Sequence, residues 1–235
     1  MRLSFVALAL LLGGCGGSRD DRTFPVTGFD RIKVSGADRV TVTTGRPFAV
    51  EARGARDLLD QLSVRREGAT LVIARRPQSP VHWSGWGWWR AFSSDRARID
   101  VALPKLAGVA LLGAPRLDVD RVRGEGFDAR VSGAGRLDID ELAVRQVVFN
   151  VAGAGEVRAE GNAERLVGRL SGAGELRLRG LHARAADIEV AGAGRVRASV
   201  EGPARVVSIG AGRIDLGSQA RCAITRQGVG KIRCG

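Results

Sequence analysis

Apolar and polar residues alternate along most of the chain, and a short glycine motif interrupts the alternation at regular intervals. Apolar residues stand two positions before the first glycine of this motif and four and six positions after it. A period of two is typical of β-strands, so each repeat is predicted to be strand, glycine turn, strand. Gly-Ala-Gly occurs 18 to 20 residues apart at 133–135, 153–155, 172–174, 192–194 and 210–212, with degenerate copies at 113–115 and 228–230.

The repeat length limits the fold. A repeat of this length leaves no room for a helix, and a propeller blade needs about 40 residues. Neither the asparagine signature of leucine-rich repeats nor a six-residue sub-period is found in the sequence. We therefore predict an all-β domain, a single-stranded right-handed parallel β-helix with about 18–20 residues per coil. The glycines would stack at one corner of every coil, where a positive φ or a close backbone approach is needed.

The front of the domain shows the same alternation in a less regular form. Residues 29–34 and 39–43 alternate on either side of a turn, which predicts one more, diverged coil. A short helical turn is expected at 55–62, and strands are expected at 71–73 and 97–101.

Residues 77–95 contain every tryptophan of the chain: Trp83, Trp86, Trp88 and Trp89. One interpretation is an exposed loop that contacts a partner, a sugar or the membrane interface. The other is a lid over the open end of the solenoid, because an open β-helix end must be covered. The sequence leaves both interpretations open.

The net charge of +12 comes from 37 Lys and Arg residues against 25 Asp and Glu. Outward positions after the glycine motif are mostly charged, and most coils place opposite signs together, as Arg136 and Asp138 do. Two coils instead carry only cations at these positions. Their side chains are candidate contacts for an anionic ligand: Arg195, Arg197, Lys231 and Arg233. This surface is either a solvated face of the solenoid or an anion-binding strip.

The N-terminus predicts export. Residues 1–14 have a positive start, a ten-residue apolar stretch and small residues at the end, as a signal peptide does. Residues 12–15 (Leu-Gly-Gly-Cys) resemble the lipobox of bacterial lipoproteins, which implies that Cys15 is lipidated and becomes the first residue. Gly16 follows, which by that resemblance favours outer-membrane sorting. Residues 15–25 are expected to be the lipidated cysteine and a flexible tether, and residues 26–235 the β-helix domain.

Export also changes the interpretation of the other cysteines. An oxidising compartment permits disulfides. Cys222 and Cys234 lie close together near the C-terminus and are predicted to pair, which would hold the last turn of the chain.

The assembled pattern resembles the family of the auto-transporter adhesin head GIN domain. The resemblance rests on residues 29–36 and 103–106 and on the serial Ser-Gly-Ala-Gly motif at 132–135 and 171–174, and it covers roughly residues 26–232. It implies a right-handed β-helix on secreted or envelope proteins with no established catalytic residues. The tryptophan-rich segment departs from that pattern.

These observations predict a non-catalytic, lipid-anchored envelope protein that binds or scaffolds at the membrane surface. We expect no cofactor, no metal and no nucleic acid. The expected partners are the membrane through the lipid, and an acidic polysaccharide, lipopolysaccharide or envelope protein. The alternative is a lyase or hydrolase acting on acidic glycans, with Asp118 and Asp138 aligned on adjacent coils as paired carboxylates.

Overall fold

The computed structural model describes residues 19–76 and 96–235, and 74% of them lie in strands of one 17-stranded sheet. The predicted all-β fold is confirmed: the chain is a β-solenoid of about six turns. The one helix in the described ranges is α1 (Arg56–Gln61). The strands are β1 (Arg19–Thr23), β2 (Arg31–Gly36), β3 (Arg39–Thr44), β4 (Ala49–Ala55), β5 (Leu62–Glu67), β6 (Thr70–Arg75), β7 (Arg98–Leu103), β8 (Gly108–Gly113), β9 (Arg116–Gly133), β10 (Arg136–Gly153), β11 (Glu156–Gly172), β12 (Glu175–Gly192), β13 (Arg195–Val200), β14 (Pro203–Gly210), β15 (Arg213–Asp215), β16 (Arg221–Gln227) and β17 (Lys231–Arg233).

The regular coils stack in parallel with their apolar positions level. Leu137 of β10 is level with Leu117 of β9 and Val157 of β11, and all three side chains are buried. Every second side chain of these strands enters the same elongated core. The period of two in the sequence arises because the inner face of each strand packs on the core and its outer face is turned to water.

Two parts of the sheet meet at the glycine corner. The post-corner sheet contains the strands that follow the corner: β7, β3, the starts of β9–β12, β13, β15 and β17. The pre-corner sheet contains the strands that precede it: β6, β2, β8, the ends of β9–β12, β14 and β16.

The corner itself is a backbone ladder. Ala154 donates its backbone N–H to the carbonyl oxygen of Gly133 at 2.9 Å, and Glu156 donates to Gly135 at 2.9 Å. Gly153 has φ +105°, and a Cβ there would lie 2.7 Å from the Gly133 oxygen. Only glycine combines that φ with so close an approach, so the corner requires the motif.

One coil is shorter than its neighbours, and the structure shows where the residue is missing. The register between β10 and β11 shifts between Ile139 and Leu142, where two residues of β10 face one residue of β11. Gly161 follows this step with φ +126°, and a Cβ there would overlap the carbonyl oxygen of Leu142. The 19-residue spacing in the sequence therefore comes from one residue fewer in β11, and this shortened segment depends on Gly161.

The front of the domain differs from the prediction of one diverged coil. It contains two: β2 and β3 form one, and β6 and β7 form another. The chain order is not the spatial order, because β2 lies between β6 and β8, and β3 lies between β7 and β9. Antiparallel β4 pairs with β7, and β5 pairs with β6. The predicted helical turn is α1.

The expected tether of residues 15–25 is partly a strand. Residues 19–23 form β1, which pairs antiparallel with the free side of β4. Arg22 donates to Asp60 at 2.7 Å and to the carbonyl oxygen of Leu59 at 3.0 Å, both in α1. An open strand edge with complementary charges beside it orders a segment whose composition alone indicates a linker. Within the described ranges, no helix has the length and apolar character of a membrane span.

Asp38 replaces the third residue of the glycine corner in the coil of β2 and β3. Arg116 donates its backbone N–H to the Asp38 carbonyl oxygen at 3.0 Å, as Arg136 does to Pro115 in the next coil. The Asp38 carboxylate, 1% exposed, accepts two hydrogen bonds from Arg75, at 2.5 and 3.0 Å, and one from the backbone N–H of Ala97, at 3.1 Å. The hydrogen bond to Asp38 raises the pKa of Arg75. Asp38 thus connects the residues that precede and follow the segment 77–95.

Cys222 and Cys234 form a disulfide in the last coil, as the sequence predicts. Their Cα atoms are 6.2 Å apart, and the two cysteines are 12 positions apart in the sequence. Both side chains pack against the end of the core. The bridge therefore cross-links the final coil, which no further coil covers among the described residues.

Replacing both cysteines with alanine is expected to destabilise this coil by about 3 kcal/mol, because the cross-link restricts the unfolded chain. Hydrogen exchange read by mass spectrometry should show faster exchange in residues 221–235 and unchanged exchange in β10. A reducing agent should reproduce the effect in the native protein and add nothing in the double variant. Equal protection of the last coil with and without the bridge would contradict this account.

Candidate functional site

Five cations lie together at the C-terminal end of the post-corner sheet. Arg195, Arg213 and Lys231 are level on β13, β15 and β17, so they form one ladder. Adjacent strands of a sheet lie about 4.8 Å apart, so these charges are close neighbours. The second ladder is Arg197, Asp215 and Arg233. We call the five cations the basic patch: Arg195, Arg197, Arg213, Lys231 and Arg233.

Apolar side chains hold the patch in place. The residue between the two ladders on each strand points inward, and Val196 and Ile214 are buried in the core while Ile232 packs against it. The patch residues line a shallow depression of about 270 Å³ together with these apolar residues and Asp215. The charges therefore project from a rigid sheet and not from a loop.

Few carboxylates neutralise the patch. Glu175, 16% exposed, lies 3.0 Å from Arg197, 3.9 Å from Arg195 and 3.1 Å from Arg177, so one carboxylate serves three guanidinium groups. Asp215 is held by Arg179 at 2.9 Å. Among the described residues, no carboxylate lies within 4.0 Å of the remaining three cations: Arg213, Lys231 and Arg233.

This arrangement suits an anionic ligand with repeated charges. Guanidinium groups form paired hydrogen bonds with carboxylate, sulfate or phosphate, and an ammonium group adds a compact positive charge. The structure brings all four cations that the sequence singled out into one depression and adds Arg213. Arg213 stands three residues after the first glycine of its motif, as Arg195 does, so the repeat register could have identified it as a member of the patch.

Ion pairing on the rest of this sheet follows the pattern expected within coils only in part. Arg136 pairs with Glu156 of the next coil at 2.5 Å, and not with Asp138 two residues away. Arg177 pairs with Glu175 of its own coil at 3.1 Å, as expected, and also with Glu156 of the coil before it at 2.9 Å. Level side chains on adjacent strands are about 4.8 Å apart, whereas side chains at positions i and i+2 of one strand are about 6.6 Å apart. Charges therefore pair mainly between coils.

Asp118 and Asp138 are level on adjacent coils, as the alternative function requires. Burial raises the pKa of Asp138, and the neighbouring carboxylates of Asp118 and Glu156 raise it further, while Arg136 lowers it. A raised pKa is what a general acid needs. Crowding of carboxylates on the sheet produces the same shift without catalysis.

The remaining predicted site residues lie outside the described residues. These are Cys15 and the tryptophans Trp83, Trp86, Trp88 and Trp89. Within residues 19–76 and 96–235, no three His, Cys, Asp or Glu side chains are grouped closely enough to hold a metal ion.

Comparison with solved structures finds proteins of the same fold. A putative adhesin from Bacteroides fragilis NCTC 9343 is similar with a TM-score of 0.73 and 17% identity, over 93% of this chain and 97% of that one. A putative lipid binding protein from Parabacteroides distasonis ATCC 8503 has a TM-score of 0.61 and 18% identity, over 92% and 96%. A putative adhesin from Parabacteroides merdae ATCC 43184 has a TM-score of 0.57 and 14% identity, over 92% and 96%. At these identities the likeness establishes the fold.

Comparison with curated proteins gives no match. A family model does match, over residues 28–220, which is most of the chain and contains the glycine corner from β2 to β14. The family described as putative auto-transporter adhesin, head GIN domain is thus the one to which this chain belongs.

Proposed function

We propose that this chain is a non-catalytic, lipid-anchored module of the bacterial envelope that binds acidic polysaccharide through its basic patch. The observation that carries the proposal is the set of three cations without a nearby carboxylate on adjacent strands of a rigid sheet. Adhesin-like names of the family and of the structural neighbours support a binding role.

Export and anchoring are supported by independent features. The disulfide between Cys222 and Cys234 suits an oxidising compartment. The signal-like residues 1–14 and the lipobox-like residues 12–15 supply the anchor in this proposal. β1, the first described strand, lies at the end of the sheet opposite to β15 and β17. A lipid on Cys15 would therefore leave the basic patch pointing away from the anchored end.

The test is retention of acidic and neutral glycans by the purified protein in mild detergent. We expect polygalacturonate and lipopolysaccharide to be retained at low salt and released at high salt, and neutral dextran not to be retained. The triple variant Arg213→Gln, Lys231→Gln, Arg233→Gln should bind polygalacturonate about tenfold more weakly, since each exposed ionic contact contributes up to about 1 kcal/mol.

The matched control removes three cations that have carboxylate partners. Arg121 and Arg123 pair with Glu141 at 2.9 and 2.8 Å, and Arg145 pairs with Glu125 at 2.9 Å. The triple variant Arg121→Gln, Arg123→Gln, Arg145→Gln has the same net charge as the patch variant and should keep most of the affinity. Equal losses in both variants would mean that net charge binds the glycan and would overturn the assignment to the patch.

The alternative, an enzyme acting on acidic glycans, is favoured by the raised pKa of Asp138 beside Asp118. It predicts that polygalacturonate becomes shorter during the binding assay, which size-exclusion chromatography would detect. Asp138→Asn should then abolish shortening without affecting retention. Retention without shortening would remove this alternative for that polymer.

A further inference from the structure

The two ends of the solenoid are finished differently. At the N-terminal end, antiparallel β4 and β5 border the outermost coil, which β6 and β7 form. The helix α1 packs there with Leu58 and Leu59 buried. At the C-terminal end the last strands are β16 and β17, and each pairs on one side only among the described strands. The longer of the two, β16, is therefore an open strand edge.

The backbone of β16 has unused hydrogen-bonding groups. Arg221 donates its N–H to the carbonyl oxygen of Gly202 at 2.9 Å, on the β14 side. Successive residues of a parallel strand point their N–H and C=O groups to alternate sides. Cys222, Ile224 and Arg226 consequently present theirs toward the open end, where another strand could pair with them.

Apolar exposure is concentrated at the same end. In the described ranges, three of the four exposed large apolar residues belong to the last coils: Ile209 at 45%, Ile224 at 48% and Val229 at 84%. Ile224 is the centre of β16, and Val229 follows β16 at the final corner. A strand laid along this edge would cover Ile224, which the chain itself leaves half exposed.

The charge of this end indicates what kind of strand fits. β16 itself carries the cations Arg221 and Arg226, and residues 216–235 contain no Asp or Glu. Two copies meeting at this end would bring like charges together, which is how proteins prevent strand edges from pairing with themselves. A strand rich in carboxylates would instead meet complementary charge.

We propose that the edge of β16 accepts an extended acidic segment of a partner protein as an additional β-strand. The backbone of Cys222, Ile224 and Arg226 would supply the pairing, Ile224 the apolar contact, and Arg221 and Arg226 the preference for acidic sequences. This site is on the pre-corner sheet and does not depend on the basic patch.

The test uses the full-length protein and a synthetic peptide of alternating glutamate and valine, with an alternating lysine and valine peptide for comparison. Hydrogen exchange should slow at Cys222, Ile224 and Arg226 with the acidic peptide and not with the basic one. Ile224→Pro removes an N–H that has no partner within the described chain, and proline is tolerated at such edge positions. It should reduce peptide affinity at least about tenfold.

Two further variants separate the contributions. Ile224→Ala removes the side chain but keeps the N–H, so it should bind the peptide better than Ile224→Pro does. The double variant Arg221→Gln, Arg226→Gln should fold normally and lose the preference for the acidic peptide. Neither Ile224 variant should alter polygalacturonate retention, so this proposal and the glycan proposal can fail separately.

Several results would overturn the proposal. They are equal affinity of the Ile224→Pro and Ile224→Ala variants, equal binding of both peptides, and protection by polygalacturonate of the same three amides. Light scattering that shows the protein dimerising through β16, with loss of the dimer in Ile224→Pro, would assign the edge to a second copy instead.

Discussion

Gly161→Ala is expected to lower the free energy of unfolding by about 4 kcal/mol, the sum of positive-φ strain and forced overlap. The residue has φ +126°, and a Cβ would overlap the backbone of Leu142 in the coil before it. The backbone of Leu142 cannot move away without breaking the pairing between β10 and β11. Guanidinium unfolding followed by far-UV circular dichroism would measure the loss.

Gly126→Ala is the matched control, because Gly126 lies on β9 with an ordinary φ. A Cβ there would meet nothing closer than the Gln146 carbonyl oxygen at 3.8 Å. We expect the unfolding free energy to change by less than about 0.5 kcal/mol. If the two alanine substitutions had similar effects, the register shift at Gly161 would not constrain the backbone as we describe.

Asp38→Ala is expected to cost about 3–5 kcal/mol, because it leaves the guanidinium of Arg75 without its buried partner. It also removes the acceptor of the Ala97 N–H. Asp38→Asn keeps an acceptor and loses the charge, so its cost should fall between those of Asp38→Ala and the native residue. Thermal unfolding monitored by circular dichroism, with exchange rates in β6 and β7, would check both values.

An exposed ion pair provides the control. Arg65 and Glu67 lie 2.7 Å apart with both side chains 54% exposed. Glu67→Gln should cost less than about 1 kcal/mol. The double variant Asp38→Ala, Arg75→Ala should be less destabilised than the sum of the single variants, since the second change removes the stranded charge. Additive losses would show that the pair itself contributes little.

The regular coils could be predicted from the sequence because one residue type is required at one place in every coil. A glycine with positive φ against the previous carbonyl repeats through Gly133, Gly153 and Gly172, and the apolar period places the strands around it. The Cys222–Cys234 bridge could be predicted because its residues are near in sequence and export permits disulfides. Each of these features depends on positions within about one coil.

The front of the domain could not be predicted in the same way. Asp38 stands where most other coils have glycine, and its partners Arg75 and Ala97 are far away in the sequence. Nothing local indicates that β6 and β7 form a second coil outside β2 and β3. The basic patch was predicted in part, because a ladder position is visible in the repeat. The pairing of Arg136 with Glu156 depends on the neighbouring coil and was missed.

The interleaved order of the first coils has a consequence for how the chain folds. From β9 onward each coil can be added to the one synthesised just before it, so contacts stay local and addition can proceed in chain order. β2 instead needs β8, with Arg31 level with Gly108, and β3 needs β9. A chain that is synthesised from its N-terminus must therefore hold its first strands without one neighbour until residues 108–119 have appeared. The slow step of folding should be the closure of this N-terminal end, after which the remaining coils grow from a completed template.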